Sequence, residues 1–213
     1  MNKFSKIDKI ILHFDSGLRT LWGQPLGTHR PDPAQLLEEE VELTSTDQQL
    51  SARLMRVNHA GEVAAQALYQ GQALTARRLD IRDKLQQSAL EENDHLLWCQ
   101  NRLQELNSHV SWLNPIWYPG SLLIGAVAGL AGDKWSLGFL AETERQVVKH
   151  LENHLQRLPA SDHKSRAILK QMQIDEAHHA ATAIKAGAVA LPRPVRWLMK
   201  QTAKIMTKTA FWV

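Results

Sequence analysis

Apolar residues recur at helical spacing in four long stretches of this chain, roughly 48–77, 81–107, 134–158 and 162–190. On the third, Leu137, Leu140, Val147, Leu151, Leu155 and Leu158 form one line that only Glu144 interrupts. The second carries Leu85, Ser88, Cys99, Arg102 and Leu106 on a face that also holds Glu92 and His95. The fourth aligns Leu169, Met172, Ala183 and Gly187 with Glu176 and His179. Pro159 ends the third stretch, Pro192 and Pro194 end the fourth, and Asp162 is placed to cap the fourth at its start. Short loops join the first stretch to the second and the third to the fourth, which predicts two antiparallel hairpins. The segment 108–133 must cross between them. One long crossover between two hairpins predicts an all-α, ferritin-like four-helix bundle with its core at 48–190.

Both ends extend that core. Phe4, Ile7, Ile10, Ile11, Phe14, Leu18 and Leu21 predict an N-terminal amphipathic helix, followed by an extended linker at Gly23, Pro25, Gly27, Pro31 and Pro33. Asp32, Glu38, Glu39, Glu40, Glu42 and Asp47 then make an acidic, lysine- and arginine-free stretch that reads as solvated surface. Residues 191–213 form a basic amphipathic tail, with Arg196, Lys200, Lys204 and Lys208 spaced four apart. The whole of 1–213 reads as a single domain: helix and acidic linker at 1–47, bundle, then tail.

Composition narrows the function. Abundant Ala, Leu, Gln and Glu favour helix over strand. A net charge of +3 and a pI near 9.1 are too modest to call for nucleic acid. Cys99 is the only cysteine, which rules out an intrachain disulfide or a cysteine-built zinc or iron–sulfur site and fits a reducing compartment. Asp8, His13 and Asp15 interrupt the N-terminal apolar run, so no secretory signal is expected there.

The ionisable breaks in the apolar stripes form a pattern. Glu92-Asn93-Asp94-His95 and Glu176-Ala177-His178-His179 are both Glu-x-x-His, and positions i and i+3 share a helix face. Singly, either pair is as easily a solvated one. Together they repeat: Glu62 lies 30 residues before Glu92, and Glu144 lies 32 before Glu176. One Glu and one Glu-x-x-His from each hairpin is the arrangement expected of a two-metal centre in such a bundle. Burying unpaired carboxylates is costly, and metal ions remove that cost. Glu91, Asp175 and Glu142 are rivals that fit the stripes less well. His59, three residues before Glu62, is placed to hydrogen-bond a ligand, and Tyr69 to line the pocket; ordinary packing explains His59 equally and Tyr69 somewhat better. Four carboxylates with one His per metal suit iron or manganese better than copper or structural zinc. A reduced pair of irons can deliver electrons to O2 that one metal cannot.

The segment Arg56-Val57-Asn58-His59-Ala60-Gly61-Glu62 with Tyr69 and Gly71, then Glu92-Asn93-Asp94-His95 and Asp175-Glu176-Ala177-His178-His179, resembles the demethoxyubiquinone hydroxylase family of ubiquinone biosynthesis over about 50–190. The resemblance implies a di-iron monooxygenase that uses O2 to hydroxylate a polyprenylated methoxy-benzoquinol. It implies that Glu62, Glu92, His95, Glu144, Glu176 and His179 are the iron ligands, with Glu92 and Glu176 bridging. No catalytic residue beyond that centre is assigned, and there is room for contacts with other quinone-biosynthesis proteins. The segment before residue 48 departs from the short core form of the family. Two other chemistries share the ligand pattern: a ferroxidase or iron-storage protein, and a manganese catalase-like peroxide enzyme.

A lipid substrate fits the crossover. Residues 106–132 hold no charged side chain, and Trp112, Ile116, Trp117, Tyr118, Leu122, Leu123, Ile124, Val127 and Leu130 concentrate there. Pro115 and Pro119 are expected to leave about a dozen helical residues, fewer than the ~20 a span needs. The expected location is therefore peripheral, on the cytoplasmic face of a bacterial cell membrane. A buried crossover and a solvated basic tail are the plain alternatives.

Overall fold

The computed structural model describes residues 5–37 and 42–213; Phe4 and Glu38, Glu39 and Glu40, and the side chains of Ile7 and Ile10, lie outside the described residues. Seven helices and no strand occur among the described residues: α1 Lys6–Trp22, α2 Ser45–Thr75, α3 Leu79–Glu105, α4 Asn114–Leu130, α5 Asp133–Arg157, α6 His163–Lys185 and α7 Arg193–Ala210. Helices α2 and α3 form one hairpin and α5 and α6 the other. Asp133, at the start of α5, accepts the backbone N–H groups of Arg77 and Arg78 (3.0 and 3.1 Å), pinning the first hairpin's loop to the second hairpin.

Within the bundle the apolar stripes segregate into two clusters. Leu54, Met55, Trp98, Cys99, Leu103, Leu151, Ile168, Leu169 and Met172 form one. Tyr69, Ala73, Ile81, Leu85, Leu137, Leu140, Ala141 and Ala183 form the other. Along every helix the acids and histidines of the repeated motif fall between the two. The bundle is thus a polar layer between apolar plugs.

Asp162 caps α6, its Oδ1 accepting from the Ser165 backbone N–H at 2.9 Å and from Arg102 Nη2 at 2.9 Å. Arg102 lies on the inward stripe and is 2% exposed; its Nε donates to Ser165 Oγ and its Nη1 to Glu105.

Several expectations need correction. Helix α6 stops at Lys185, short of the prolines. Gly187 takes φ +105°, and the Ala188 N–H turns back to the Ala183 carbonyl (3.2 Å), closing the helix end. Gly187 therefore caps the helix and is exposed; it is not part of the inward stripe. The crossover helix α4 has 17 residues, more than the dozen expected. Pro115 sits in its first turn, where a missing N–H costs nothing, and Pro119 lacks only the N–H that would reach the carbonyl of the exposed Pro115.

Helix α4 is not buried. It lies along α2 at backbone contact: a Cβ at Gly71 would strike the Leu122 carbonyl, and one at Gly125 the Leu68 carbonyl. Its far side exposes Ile116, Leu123, Val127 and Leu130, each more than half accessible. Beside it runs α1, with Gly17 against the Tyr118 ring. This amphipathic helix turns Ile11, Phe14, Leu18 and Trp22 outward. Asp32, expected on the surface, is buried and accepts the Ala34 N–H at 2.9 Å.

Burial holds His59 and His150 down to about 4, and His154 to about 2, with Arg157 adding to the effect on the last two and His150 to that on His154. Unfolded, each takes its proton near pH 6.5. The unfolded chain thus binds more protons below that value, and the stability these groups confer is lost as pH falls from 6.5 toward 4. Each depressed histidine contributes about 1.4 kcal/mol per pH unit in that window. The loss of stability between pH 7 and pH 5, read from urea midpoints, is expected to shrink in His150→Gln/His154→Gln. Equal losses in the two proteins would contradict this.

Candidate metal centre

The six motif side chains converge in the polar layer, each at most 3% exposed. Ligand atoms of Glu62, Glu92, His95 and Glu176 lie within 4.8 Å of one another. Two carboxylates reach both imidazoles. Glu92 sets Oε2 3.1 Å from His95 Nδ1 and Oε1 3.1 Å from His179 Nδ1. Glu176 does the same, Oε1 3.3 Å from His95 Nδ1 and Oε2 3.3 Å from His179 Nδ1. Glu62 Oε2 stands 3.7 Å from His95 Nδ1, on that side only. Glu144 faces Glu176 and His179 and accepts the Tyr69 hydroxyl at 2.9 Å. Two oxygens from each of two central acids, one imidazole per side and one further acid per side make a nearly twofold-symmetric donor set.

This set does not satisfy itself. Glu62 Oε2 and Glu144 Oε2 accept no hydrogen bond, and Glu92 Oε1, although near His179, receives none of proper direction. Burial, reinforced by repulsion from Glu92 and Glu176, raises Glu62 and Glu144 well above the carboxylate range. Burial alone would lower His95 and His179, but the surrounding carboxylates outweigh it and raise both. At Glu92 burial is likewise overcome, by the two imidazoles, and its carboxyl is held low. Four buried acids, three of them with an orphaned oxygen, and two inward nitrogens are the complement of cations, which displace protons as they bind. The cluster fits a pair of hard metal ions.

Comparison with known proteins agrees. Residues 49–213 match the family described as ubiquinone biosynthesis protein COQ7. The chain belongs to that family. A relative from Nitrosococcus oceani is 57% identical over 99% of this chain and 98% of its own length, and one from Acinetobacter baumannii is 53% identical over the full length of both. Both are named 3-demethoxyubiquinol 3-hydroxylase. Among solved structures, a dodecameric thioferritin, the bacterioferritin-related protein from Bacteroides fragilis, superposes with a TM-score of 0.52 at 19% identity over 71% of this chain and 89% of its own. That likeness fixes the fold as ferritin-like.

In this COQ7-family chain the sequence rivals Glu91 and Asp175 have work of their own. Each reaches the histidine of the opposite hairpin: Glu91 Oε2 lies 2.8 Å from His179 Nε2, and Asp175 Oδ2 lies 2.9 Å from His95 Nε2. Each acid is held in turn by the glutamine one turn earlier, Gln87 at 3.1 Å and Gln171 at 3.0 Å. The pattern Gln-x-x-x-acid-Glu-x-x-His thus occurs at 87–95 and again at 171–179, a repeat that could have been found in the sequence. With Nε2 engaged outward, each imidazole turns Nδ1 inward. Tyr69 is in the site, through Glu144. His59 is not: its Nδ1 lies 3.4 Å from Asn114 Nδ2, at the α2–α4 contact.

Proposed function

We propose that this chain is a di-iron, O2-dependent monooxygenase that hydroxylates 3-demethoxyubiquinol, a polyprenylated methoxy-benzoquinol, in ubiquinone biosynthesis. The observation that carries the reading is the pair Glu92 and Glu176, each with one oxygen toward His95 and the other toward His179. In this reading both would be shared by two irons; Glu62 and His95 would hold one of them, and Glu144 and His179 the other. Its support beyond geometry is the name shared by relatives that span nearly the whole chain.

Bound in its ferrous state, the iron pair would supply the two electrons and the oxygen-activating chemistry for ring hydroxylation, with the second oxygen atom leaving as water and an external reductant restoring the pair. The protein's residues do the positioning. Tyr69 O–H holds Glu144, and Asp175 and Glu91 fix the two imidazoles. The apolar clusters on either side keep bulk water from the layer between them.

The same reading puts the chain on the cytoplasmic face of the cell membrane as a peripheral protein. No helix among the described residues is long and apolar enough to cross a bilayer. Side by side, α1 and α4 offer Phe14, Trp22, Leu123 and Val127, exposed by 59–69%, to a lipid surface. A quinol tail resting in that surface brings its ring to the α2–α4 side of the bundle.

Two measurements test this. A strain deleted for the gene should accumulate the methoxy-bearing, hydroxyl-deficient precursor; normal ubiquinone without it would refute the substrate. Leu123→Glu/Val127→Glu should keep its metal yet sediment with anionic vesicles at least ~100-fold more weakly, since burying each apolar side chain is worth about 1.5–3 kcal/mol. Unchanged sedimentation would refute the membrane face.

A further inference from the structure

The two halves of the centre differ inside, where Tyr69 bonds Glu144, and outside, over His95. Over the outer side of His95 runs the segment 26–30, part of the stretch read from sequence as a linker and outside the residues 49–213 matched to the family. It is held by the two residues inside the first Glu-x-x-His. Asn93 Nδ2 donates to the Leu26 carbonyl at 2.7 Å. Asp94 accepts the Thr28 backbone N–H at 2.9 Å and, in a shorter bond, the Thr28 hydroxyl. The fit leaves no space at Gly27, where a Cβ would fall on Asp94 Oδ1. His29 takes φ +61°, a left-handed conformation that costs a non-glycine residue about 1–2 kcal/mol and persists only where its neighbours are fixed.

That bend delivers Arg30. Its Nε donates to Asp94 Oδ2 at 3.1 Å and its Nη1 to Asp175 Oδ2 at 2.9 Å. Nη2 comes within 3.4 Å of His95 Nε2, and the guanidinium lies 5.0 Å over the Trp98 ring, itself 5.3 Å from the His95 ring. The Asp175 oxygen that Arg30 holds is the one that meets His95 Nε2. On the other half nothing among the described residues corresponds: Ala177 and His178 occupy the places of Asn93 and Asp94 and are exposed. Glu91 bonds His179 and Gln87, and Arg30 acts on it only at longer range.

We propose that the segment 26–30 completes the outer support of the His95 half, and that Arg30 is a positioning residue that acts on the metal position beside His95 and not on the one beside His179. Through Asp175 it fixes the direction of His95 Nδ1 and offsets the charge of the acid behind it. A planar guanidinium suits this task because its fork spans two carboxylates at once, which a lysine ammonium does not.

The inference rests on the six-ligand reading, and one experiment separates the two. Full-length metal-free protein is given Co(II) stepwise, following visible absorption and bound metal per chain. The wild type is expected to take up two ions with different affinities. In Arg30→Gln one ion should bind about 10–100-fold more weakly while the other is unchanged, a usual cost for losing an outer partner. Arg30→Lys should restore the affinity only partly. Gly27→Val, which displaces the segment but keeps Arg30, should show the same one-sided loss, with the helical circular dichroism of all forms equal. Fewer than two ions in the wild type would overturn the six-ligand reading and this one with it. Two ions in the wild type, held as tightly by Arg30→Gln and Gly27→Val or weakened equally at both positions, would overturn only the role of the segment.

Discussion

Glu176→Ala is expected to fold with normal helix content, retain fewer than two metal ions per chain and lose quinol hydroxylation. The side chain touches both halves of the centre, each oxygen 3.3 Å from one imidazole, so truncation strips one donor from each metal position. Removing an outer partner costs about 10–100-fold in affinity or activity, and removing a shared donor costs more. Stability should fall as well. Without metal Glu176 still meets both imidazoles, and its loss leaves them with one acid fewer and a cavity between them. Calorimetry with a chelator should find Glu176→Ala less stable than the wild type. With metal supplied the gap should widen, because only the wild type gains the full stabilisation of binding to the native state. Glu142→Ala, on the same helix as Glu144 but off its line, should behave as the wild type in both tests. A Glu176→Ala protein with two ions and full turnover would reject the bridging role.

Asp162→Ala is expected to be the most damaging change outside the centre. It removes the cap of α6 and takes from Arg102, whose side chain is 1% exposed, a fully buried acid. Breaking one partner of a buried ion pair costs about 3–5 kcal/mol, and the lost cap adds ~1 kcal/mol. For a chain of this length that corresponds to a fall in Tm of about 10 °C. Glu105→Ala removes a second acid from Arg102, but its side chain is 37% exposed and the effect should stay below ~1 kcal/mol. Urea denaturation of the two variants ranks them. Equal stabilities would mean that Asp162 and Arg102 do not act as a buried pair.

Local periodicity explains what could be read in the sequence. Glu144 on the Leu140–Val147 line and Glu92 and His95 on the Leu85–Leu106 line declare a buried polar layer, because helix geometry maps spacing onto a face. Asp162 declares a cap for the same reason. What stayed hidden depends on contacts that spacing does not encode. Arg30 meets Asp175 across 145 residues. Glu91 and Asp175 lie off the ligand line because each serves the opposite helix. The exposed face of α1 looks in sequence like any core-seeking stripe, and only the packing of Gly17 on Tyr118 shows that it turns outward. The proline pair in α4 read as a break because sequence does not say which carbonyls meet solvent.

The most direct test of the account is anomalous diffraction at the iron edge from crystals of iron-loaded protein. It predicts two iron peaks about 3.5–4 Å apart, lying between the carboxylates of Glu92 and Glu176, one beside His95 and one beside His179. A single peak, or iron bound only at the surface while that layer stays empty, would contradict it.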